Sequence, residues 1–120
     1  METDENIGKR ILLVEDERVA RELIRDLLKQ NDHIVVEANN GAEAYSLFTK
    51  GHFDLVMTDY IMPFVNGDEL ATRIKQVSPK QPILMVTAHD FKRRASSPIT
   101  AVLQKPFDSF LLQQEIDKLV

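Results

Sequence analysis

The sequence predicts one α/β domain built on a doubly wound, five-stranded parallel sheet, and three observations carry that prediction. Five short apolar runs alternate with helical stretches along the chain. The central runs are almost continuously apolar, as strands covered on both faces by crossover helices are, whereas a half-exposed antiparallel strand would alternate polar with apolar residues. At 120 residues the chain is long enough for one hydrophobic core and too short for two ordinary domains.

The first cycle opens with Ile11-Leu12-Leu13-Val14, passes through acidic Glu15-Asp16-Glu17 and enters a stretch from Val19 to Leu28. Within it Leu23, Leu27 and Ile24, Leu28 recur at helical spacing. The second starts at His33 and runs to Ala38 through β-branched residues that favour a strand. Asn40, with Glu43 three places on, then reads as a capping box for a helix carrying Ala44, Leu47 and Phe48 on one face. Leu55-Val56-Met57-Thr58 forms the third strand and ends at Asp59; Pro63 and Gly67 punctuate the loop, and a helical pattern begins over Glu69 to Ile74. Pro79 and Pro82 turn the chain into Ile83-Leu84-Met85-Val86. The last cycle reads Ala101 to Gln104 as a strand and Phe107 to Leu119 as a helix, with Phe110, Leu111, Gln114 and Leu119 as its core-facing stripe. Right-handed crossovers narrow this alternation to an open doubly wound sheet, but periodicity alone leaves the strand order open. Residues 1–8 are polar, precede the first strand and read as a tail, with residues 9–120 as the domain.

Composition removes several function classes. Apolar residues at 43% and charged residues at 28% describe an ordinary globular chain, and no apolar run is long enough for a membrane span. The acidic opening Met1 to Asn6 is unlike a secretory signal, so the expectation is a cytoplasmic protein without membrane insertion. A formal charge of -4 lacks the basic excess of a dedicated nucleic-acid binder, and Lys92-Arg93-Arg94 reads as solvated surface. The absence of cysteine excludes disulfides, thiolate metal sites and cysteine nucleophiles. No glycine-rich phosphate loop or dinucleotide fingerprint follows the first strand, and Ser78, Ser96 and Ser97 lack a hydrolase arrangement of histidine and acid. Of the scattered histidines, His33 and His52 read as surface residues, and His89, two places after Thr87, as a modulator. Phe107 and Phe110 read as packing residues.

The functional signal lies at the strand ends. Glu15 and Asp16 follow the first strand, and Asp59, Thr87 and Lys105 terminate the third, fourth and fifth. In a parallel sheet these ends share one edge, and beside a strand-order switch that edge is where open α/β sheets bind ligands. Three carboxylates gathered there repel one another and call for a compensating cation. Hard oxygen donors without soft ligands suit Mg²⁺. Asp16 and Asp59 are assigned directly to the metal, and Glu15 to it through water or to an adjacent supporting position. Asp59, central in the cluster, is the preferred nucleophile, because a carboxylate accepts a phosphoryl group covalently and, once ionised, needs no general base. Lys105 and the Thr87 hydroxyl would contact the phosphoryl oxygens as charge develops on them.

With these residues in view, the chain resembles bacterial two-component response-regulator receiver domains over roughly Lys9 to Val120. The resemblance is carried by Ile11-Leu12-Leu13-Val14-Glu15-Asp16-Glu17, by Asp59-Tyr60-Ile61-Met62-Pro63 with Gly67, by Thr87-Ala88 and by Lys105-Pro106-Phe107. It implies a flavodoxin-like sheet of order 2-1-3-4-5. It also implies Mg²⁺-dependent transfer of a phosphoryl group to Asp59 from the phosphohistidine of a sensor histidine kinase or histidine phosphotransfer protein, and later hydrolysis. Asp16 would be the closer metal ligand of the acidic pair, and the Ile61 backbone carbonyl a further ligand. Lys105 would pair with the phosphoryl group, Thr87 would couple it to movement of the adjoining loop, and Lys105-Pro106 would be cis. Ile61 and His89 stand at positions that tune phosphoryl lifetime in similar domains. The expected output is altered binding of a downstream protein effector, with no direct nucleic-acid partner. Two alternatives stand beside this reading: a small Mg²⁺-dependent phosphohydrolase with an aspartyl intermediate, which turnover would reveal, and a degenerate receiver-like interaction module.

The sequence departs from the family pattern on its output side. Ser96, Ser97 and Pro98 leave room only for a shortened or irregular fourth helix before the last strand. Three residues before Lys105, where similar domains use a rotating Tyr or Phe, stands Val102, whose stiff β-branched side chain has neither ring nor hydroxyl. The expected transmission route therefore runs through Thr87 and reordering of the Thr87-to-Pro98 segment.

Overall fold

The structure, a computed structural model, describes residues 8–93 and 96–120. Its elements follow the order β1 (Arg10–Val14), α1 (Arg18–Gln30), β2 (Ile34–Ala38), α2 (Gly41–Thr49), β3 (Leu55–Thr58), α3 (Gly67–Val77), β4 (Ile83–Thr87), β5 (Ala101–Gln104) and α4 (Ser109–Leu119). All strand pairs are parallel and the sheet order is β2-β1-β3-β4-β5, as the resemblance implied. The expected tail over residues 1–8 lies outside the described residues apart from Gly8.

Alternate residues of the apolar strands serve opposite faces, so each continuous run feeds two cores. Leu12, Val14, Val56, Ile83 and Met85 pack with Ala44 and Phe48 of α2 and Leu70, Ala71 and Ile74 of α3. Ile11, Leu13, Leu55, Met57, Leu84 and Val86 pack with Ile24 and Leu28 of α1 and Leu112 and Ile116 of α4.

Local chemistry starts each helix. Asn40 Oδ1 accepts from the Glu43 N–H at 2.7 Å while Glu43 Oε1 accepts from the Asn39 N–H at 2.7 Å, so the box forms with its return bond one residue earlier than the standard pattern. Asn66 caps α3 through the Glu69 N–H at 2.8 Å, and Asp108 caps α4 through the Leu111 N–H at 2.8 Å.

The Asp108 cap corrects the sequence-based stripe of the last helix. The helix begins at Ser109, not Phe107, and turns Leu112 and Ile116 inward; Phe110 is 71% exposed and Leu111 is also exposed, while Phe107 packs at the edge of the core. In α1, likewise, Ile24 and Leu28 are buried but Leu23 is exposed. His33 is a further correction: it is buried, its Nδ1 accepting from the Lys9 N–H at 2.9 Å and its Nε2 lying 2.9 Å from Gln113 Oε1. The ring thus ties the start of β1 to α4.

The crossover between β4 and β5 has no helix among the described residues, in line with the shortened or irregular one expected; Arg94 and Ala95 lie outside them. Ser97 Oγ accepts from the Ile99 N–H at 3.1 Å, which satisfies the backbone without a helical turn, and Ile99 is buried against the α2–α3 core.

Candidate functional site

Register builds the site. Val14 of β1 pairs with Thr58 of β3, so the next residues, Glu15 and Asp59, emerge side by side at the carboxyl edge. The Asp59 N–H donates to Val14 O at 3.1 Å and continues the ladder by one bond. Thr87 pairs with Gln104, and the Lys105 N–H donates to Thr87 O at 2.9 Å. From there the lysine side chain reaches back across the edge to the acids.

Carboxylate oxygens of Glu15, Asp16 and Asp59 lie within 4.8 Å of one another. Lys105 Nζ is 2.8 Å from Glu15 Oε1 and 3.9 Å from Asp59 Oδ2. Glu15 is the most enclosed, its side chain 3% exposed, and its Oε2 accepts from the Glu17 N–H at 3.2 Å. Burial pushes the Glu15 carboxyl above its ordinary range; the Lys105 ammonium and the Glu17 N–H oppose that rise, and the neighbouring Asp59 adds to it. Asp59, 14% exposed, has Oδ1 held by the Tyr60 N–H at 2.7 Å, which leaves Oδ2 on the Lys105 side. Asp16 is exposed and joins no ion pair among the described residues.

Charge balance tests whether a divalent metal fits. Three ionised carboxylates face one ammonium, and among the described residues no other cation is paired with the cluster. The excess negative charge and the oxygen-only donor set match a hard divalent cation. Ile61 lies two residues past Asp59 on the loop leaving β3, and no hydrogen-bond donor is directed at its carbonyl among the described residues. Thr87 is fully buried at the end of β4, its Oγ1 accepting from the His89 N–H at 3.1 Å. Lys105-Pro106 is cis.

The chain matches the family model described as response regulator receiver domain over residues 11–117. This protein belongs to the response-regulator receiver family. Among curated relatives, the response regulator receiver protein CpdR of Brucella abortus is 35% identical over 116 residues, covering 93% of this chain and 97% of its own. The autoinducer 1 sensor kinase/phosphatase LuxN of Vibrio campbellii is 35% identical over 88 residues; the match takes in 73% of this chain but only 10% of LuxN. Among solved structures, the response regulator TrrA of Thermotoga maritima, in complex with Mg²⁺-BeF, superposes with a TM-score of 0.87 at 33% identity, covering 93% of this chain and 99% of that one. A structure of histidine kinase ThkA in complex with TrrA matches with a TM-score of 0.85 at 33% identity over 93% of this chain and 98% of that one. The receiver is a phospho-accepting signalling domain.

The receiver site also depends on residues that motif reading left unexplained. A Cβ at Gly67 would lie 2.1 Å from Asp59 O, so only glycine lets the start of α3 close against the backbone of the acidic residue, where the Gly67 N–H donates to Tyr60 O at 2.8 Å. Arg21 Nη1 donates to Glu15 O at 2.9 Å while its Nε pairs with Glu37 Oε1 at 3.2 Å, which fixes the acidic turn to α1 and β2. Arg21 lies six residues beyond Glu15 inside a helix, and only the fold reveals the contact. Lastly, the rings of Tyr60 and Phe91 meet with centroids 4.8 Å apart at 55°, joining the loop after β3 to the segment after β4.

Proposed function

We propose that Asp59 accepts a phosphoryl group from a phosphohistidine, and that the acidic pair, Lys105 and Thr87 serve that transfer. The observation that carries the reading is the asymmetric setting of the Asp59 carboxylate: Oδ1 is held by the Tyr60 N–H and Oδ2 faces Lys105. Oδ2 would form the new bond to phosphorus as the bond to the donor imidazole breaks, and the imidazole nitrogen keeps that electron pair. Lys105, already 3.9 Å from Oδ2, would follow the charge onto a phosphoryl oxygen. The buried Thr87 hydroxyl accepts from the His89 N–H and still has its own proton to donate to another phosphoryl oxygen.

Asp16, Asp59 and the Ile61 carbonyl would hold Mg²⁺, with Glu15 alongside or linked through water; when bound, the ion supplies charge neutralisation for the phosphoryl oxygens. Glu15 fits the supporting position, because Lys105 and the Glu17 N–H already occupy its two oxygens. The Mg²⁺-BeF complex of TrrA supports this metal, and the complex of TrrA with ThkA supports a histidine kinase as donor. A histidine phosphotransfer protein is the other donor of the same chemistry. The output is a protein effector, and the domain occupies residues 9–120. Among the described residues no helix is long and apolar enough to cross a membrane.

The test is incubation with a phosphohistidine donor and Mg²⁺, then intact-mass measurement and mapping of the modified residue. A single added phosphoryl group on Asp59, lost in Asp59→Asn, is the expected result; a folded protein that stays unmodified with both protein and small-molecule donors would contradict the proposal.

A further inference from the structure

Of the three clustered acids, Glu15 and Asp59 have side chains held by hydrogen bonds, whereas the exposed Asp16 carboxylate joins no ion pair among the described residues. Its place therefore depends on the backbone around it. The Glu15 N–H donates to Ala38 O at 3.1 Å and continues the β1–β2 ladder by one bond. The carbonyl of the same residue takes no backbone donor among the described residues. Arg21 Nη1 supplies one instead, at 2.9 Å. Because the peptide unit is planar, the direction of the Glu15 carbonyl sets the Asp16 nitrogen and Cα with it. Beyond Asp16, the Glu17 N–H is held by Glu15 Oε2 at 3.2 Å.

Arg21 is itself held. Its side chain is only 16% exposed, and its Nε pairs with Glu37 Oε1 at 3.2 Å. Glu37 stands on β2 in register with Leu13, and its other oxygen, Oε2, lies 3.6 Å from Arg25 Nη1, one turn further along α1. One planar guanidinium thus spans a carboxylate on β2 and the carbonyl next to Asp16. Its N–H groups form a rigid fork that the single ammonium of a lysine cannot reproduce. Among the described residues Arg21 pairs with Glu37 and with no carboxylate of the cluster. The contact therefore directs the acidic turn without neutralising the acids that a cation would need.

We infer that Arg21 is a positioning residue that makes the acidic site selective for Mg²⁺ over Ca²⁺, through its two-point hold on Glu15 O and Glu37. The inference rests on Glu15, Asp16 and Asp59 gathering around a divalent metal. Mg²⁺ demands near-ideal octahedral geometry with oxygens at about 2.0–2.1 Å, whereas Ca²⁺ accepts about 6–8 oxygens at about 2.3–2.6 Å in flexible arrangements. An Asp16 carboxylate displaced by a turning peptide unit therefore costs Mg²⁺ more than Ca²⁺. Charge alone predicts the opposite sign, since removing a cation from beside a dication site strengthens the binding of both ions. Groups that orient metal ligands from behind govern affinity by about 10–100-fold.

Calorimetric titration of the full, unphosphorylated chain with Mg²⁺ and with Ca²⁺ provides the test. R21M keeps the aliphatic stem and removes both donors; R21K keeps the charge but offers one ammonium to two acceptors. R21M is expected to weaken Mg²⁺ binding by about tenfold or more and Ca²⁺ binding by no more than about threefold, so that the ratio of Mg²⁺ to Ca²⁺ affinity falls. R21K is expected to lower that ratio in the same direction, with the charge unchanged. Circular dichroism at the titration temperature establishes that each variant is folded; if R21M is not, the R21K ratio decides. An unchanged or higher ratio in either folded variant, or tighter Mg²⁺ binding in R21M, would overturn the positioning role. D16N separates this failure from that of the metal reading. If the unmodified chain binds neither ion, or if D16N binds Mg²⁺ as tightly as the unmodified chain, the metal site itself falls and takes this inference with it.

Discussion

Gly67→Ala is the substitution beside the acidic cluster for which the structure makes the sharpest demand. The new methyl carbon would lie 2.1 Å from Asp59 O and 3.2 Å from Met85 Cε, where ordinary contact begins at 3.4 Å. The Asp59 carbonyl or the first turn of α3 must therefore shift by about 1.3 Å, and the obstructing atom is backbone already tied into the sheet through the Asp59 N–H to Val14 O. Overpacking of this kind costs roughly 1–3 kcal/mol. The gain in helix propensity from glycine to alanine is at most about 1 kcal/mol, and less at the first helical residue. The expected net effect is a loss of about 1–2 kcal/mol in urea unfolding. Phosphorylation should suffer more than stability, since misplacing a reacting group by about 1 Å costs on the order of 100-fold. Acetyl phosphate labelling followed by intact mass would measure it. Gly51→Ala is the control: its Cβ would meet nothing closer than 3.7 Å, and a change within about 0.5 kcal/mol is expected. Gly67→Ala with unaltered stability and an unaltered labelling rate would refute the close-approach argument.

The remaining expectations concern charge and coupling. Asp16→Asn should weaken Mg²⁺ binding and slow phosphorylation while leaving the fold intact, because it removes an anionic oxygen at an exposed position; calorimetric Mg²⁺ affinity equal to wild type would count against the ligand role. Lys105→Ala removes the ammonium from the buried Glu15 and should push that carboxyl higher still, slow labelling, and weaken phospho-dependent partner binding; retention of both rate and readout would contradict the assignment. The raised Glu15 carboxyl also sets a pH dependence. Without metal, its proton is held in the folded state to a higher pH than in the unfolded chain, so its contribution to stability is present below the unfolded pKa and lost as pH rises through the folded one. Mg²⁺ needs the ionised cluster, so its affinity should fall on acidification at a pH above the ordinary carboxylate range, and an affinity constant down to that range would exclude Glu15 from the metal's surroundings. Thr87→Ala should reduce the amide-exchange response of residues 87–98 to a phosphoryl mimic more than Val102→Ala does, the reverse order being evidence for signalling through β5.

The parallel sheet was legible because strands covered on both faces have no polar alternation, and Ile11 to Val14 and Leu55 to Thr58 show none. The site was legible because those strands end in Glu15, Asp16 and Asp59, and a parallel register brings successive strand ends to one edge. Strand order required the family resemblance, since local periodicity carries no information about which strands are neighbours. The face of α4 was misread because the run Phe110-Leu111-Leu112 offers three apolar residues in succession, and only the Asp108 cap sets which of them turns inward. His33 was misread because its partners are the Lys9 backbone and Gln113, the latter 80 positions away in sequence. Phe64 was silent for a related reason: nothing in its neighbours announces a positive φ where a bulky residue stands.

A crossover without a helix among its described residues would give a phosphoryl group on Asp59 a short mechanical path to the surface. In a full helix each backbone donor from the second turn onward is tied to the helix, and movement at its start is spread over every turn. Here, among the described residues, the segment after Thr87 is held by separate contacts: the His89 N–H on the Thr87 hydroxyl, the Gln104 amide on His89 O at 3.4 Å, the Phe91 ring on Tyr60, Arg93 Nη1 on Ile99 O at 3.3 Å, and buried Ile99 at the far end. Tyr60 in turn holds Asp59 Oδ1 through its N–H at 2.7 Å. Asp59 and Thr87 are therefore linked to the same short segment from two sides, Asp59 through the Tyr60 backbone and the Tyr60–Phe91 ring contact, Thr87 through His89. Val102 packs at the edge of this cluster without a ring to swing or a hydroxyl to exchange. A phosphoryl group on Asp59 that draws the Thr87 hydroxyl inward would pull on the His89 end while the Tyr60 end stays fixed to the acceptor. The shear would then fall on the contact between Phe91 and Tyr60, and the largest amide chemical-shift response to a phosphoryl mimic is expected at Phe91 and the exposed Lys92 beside it.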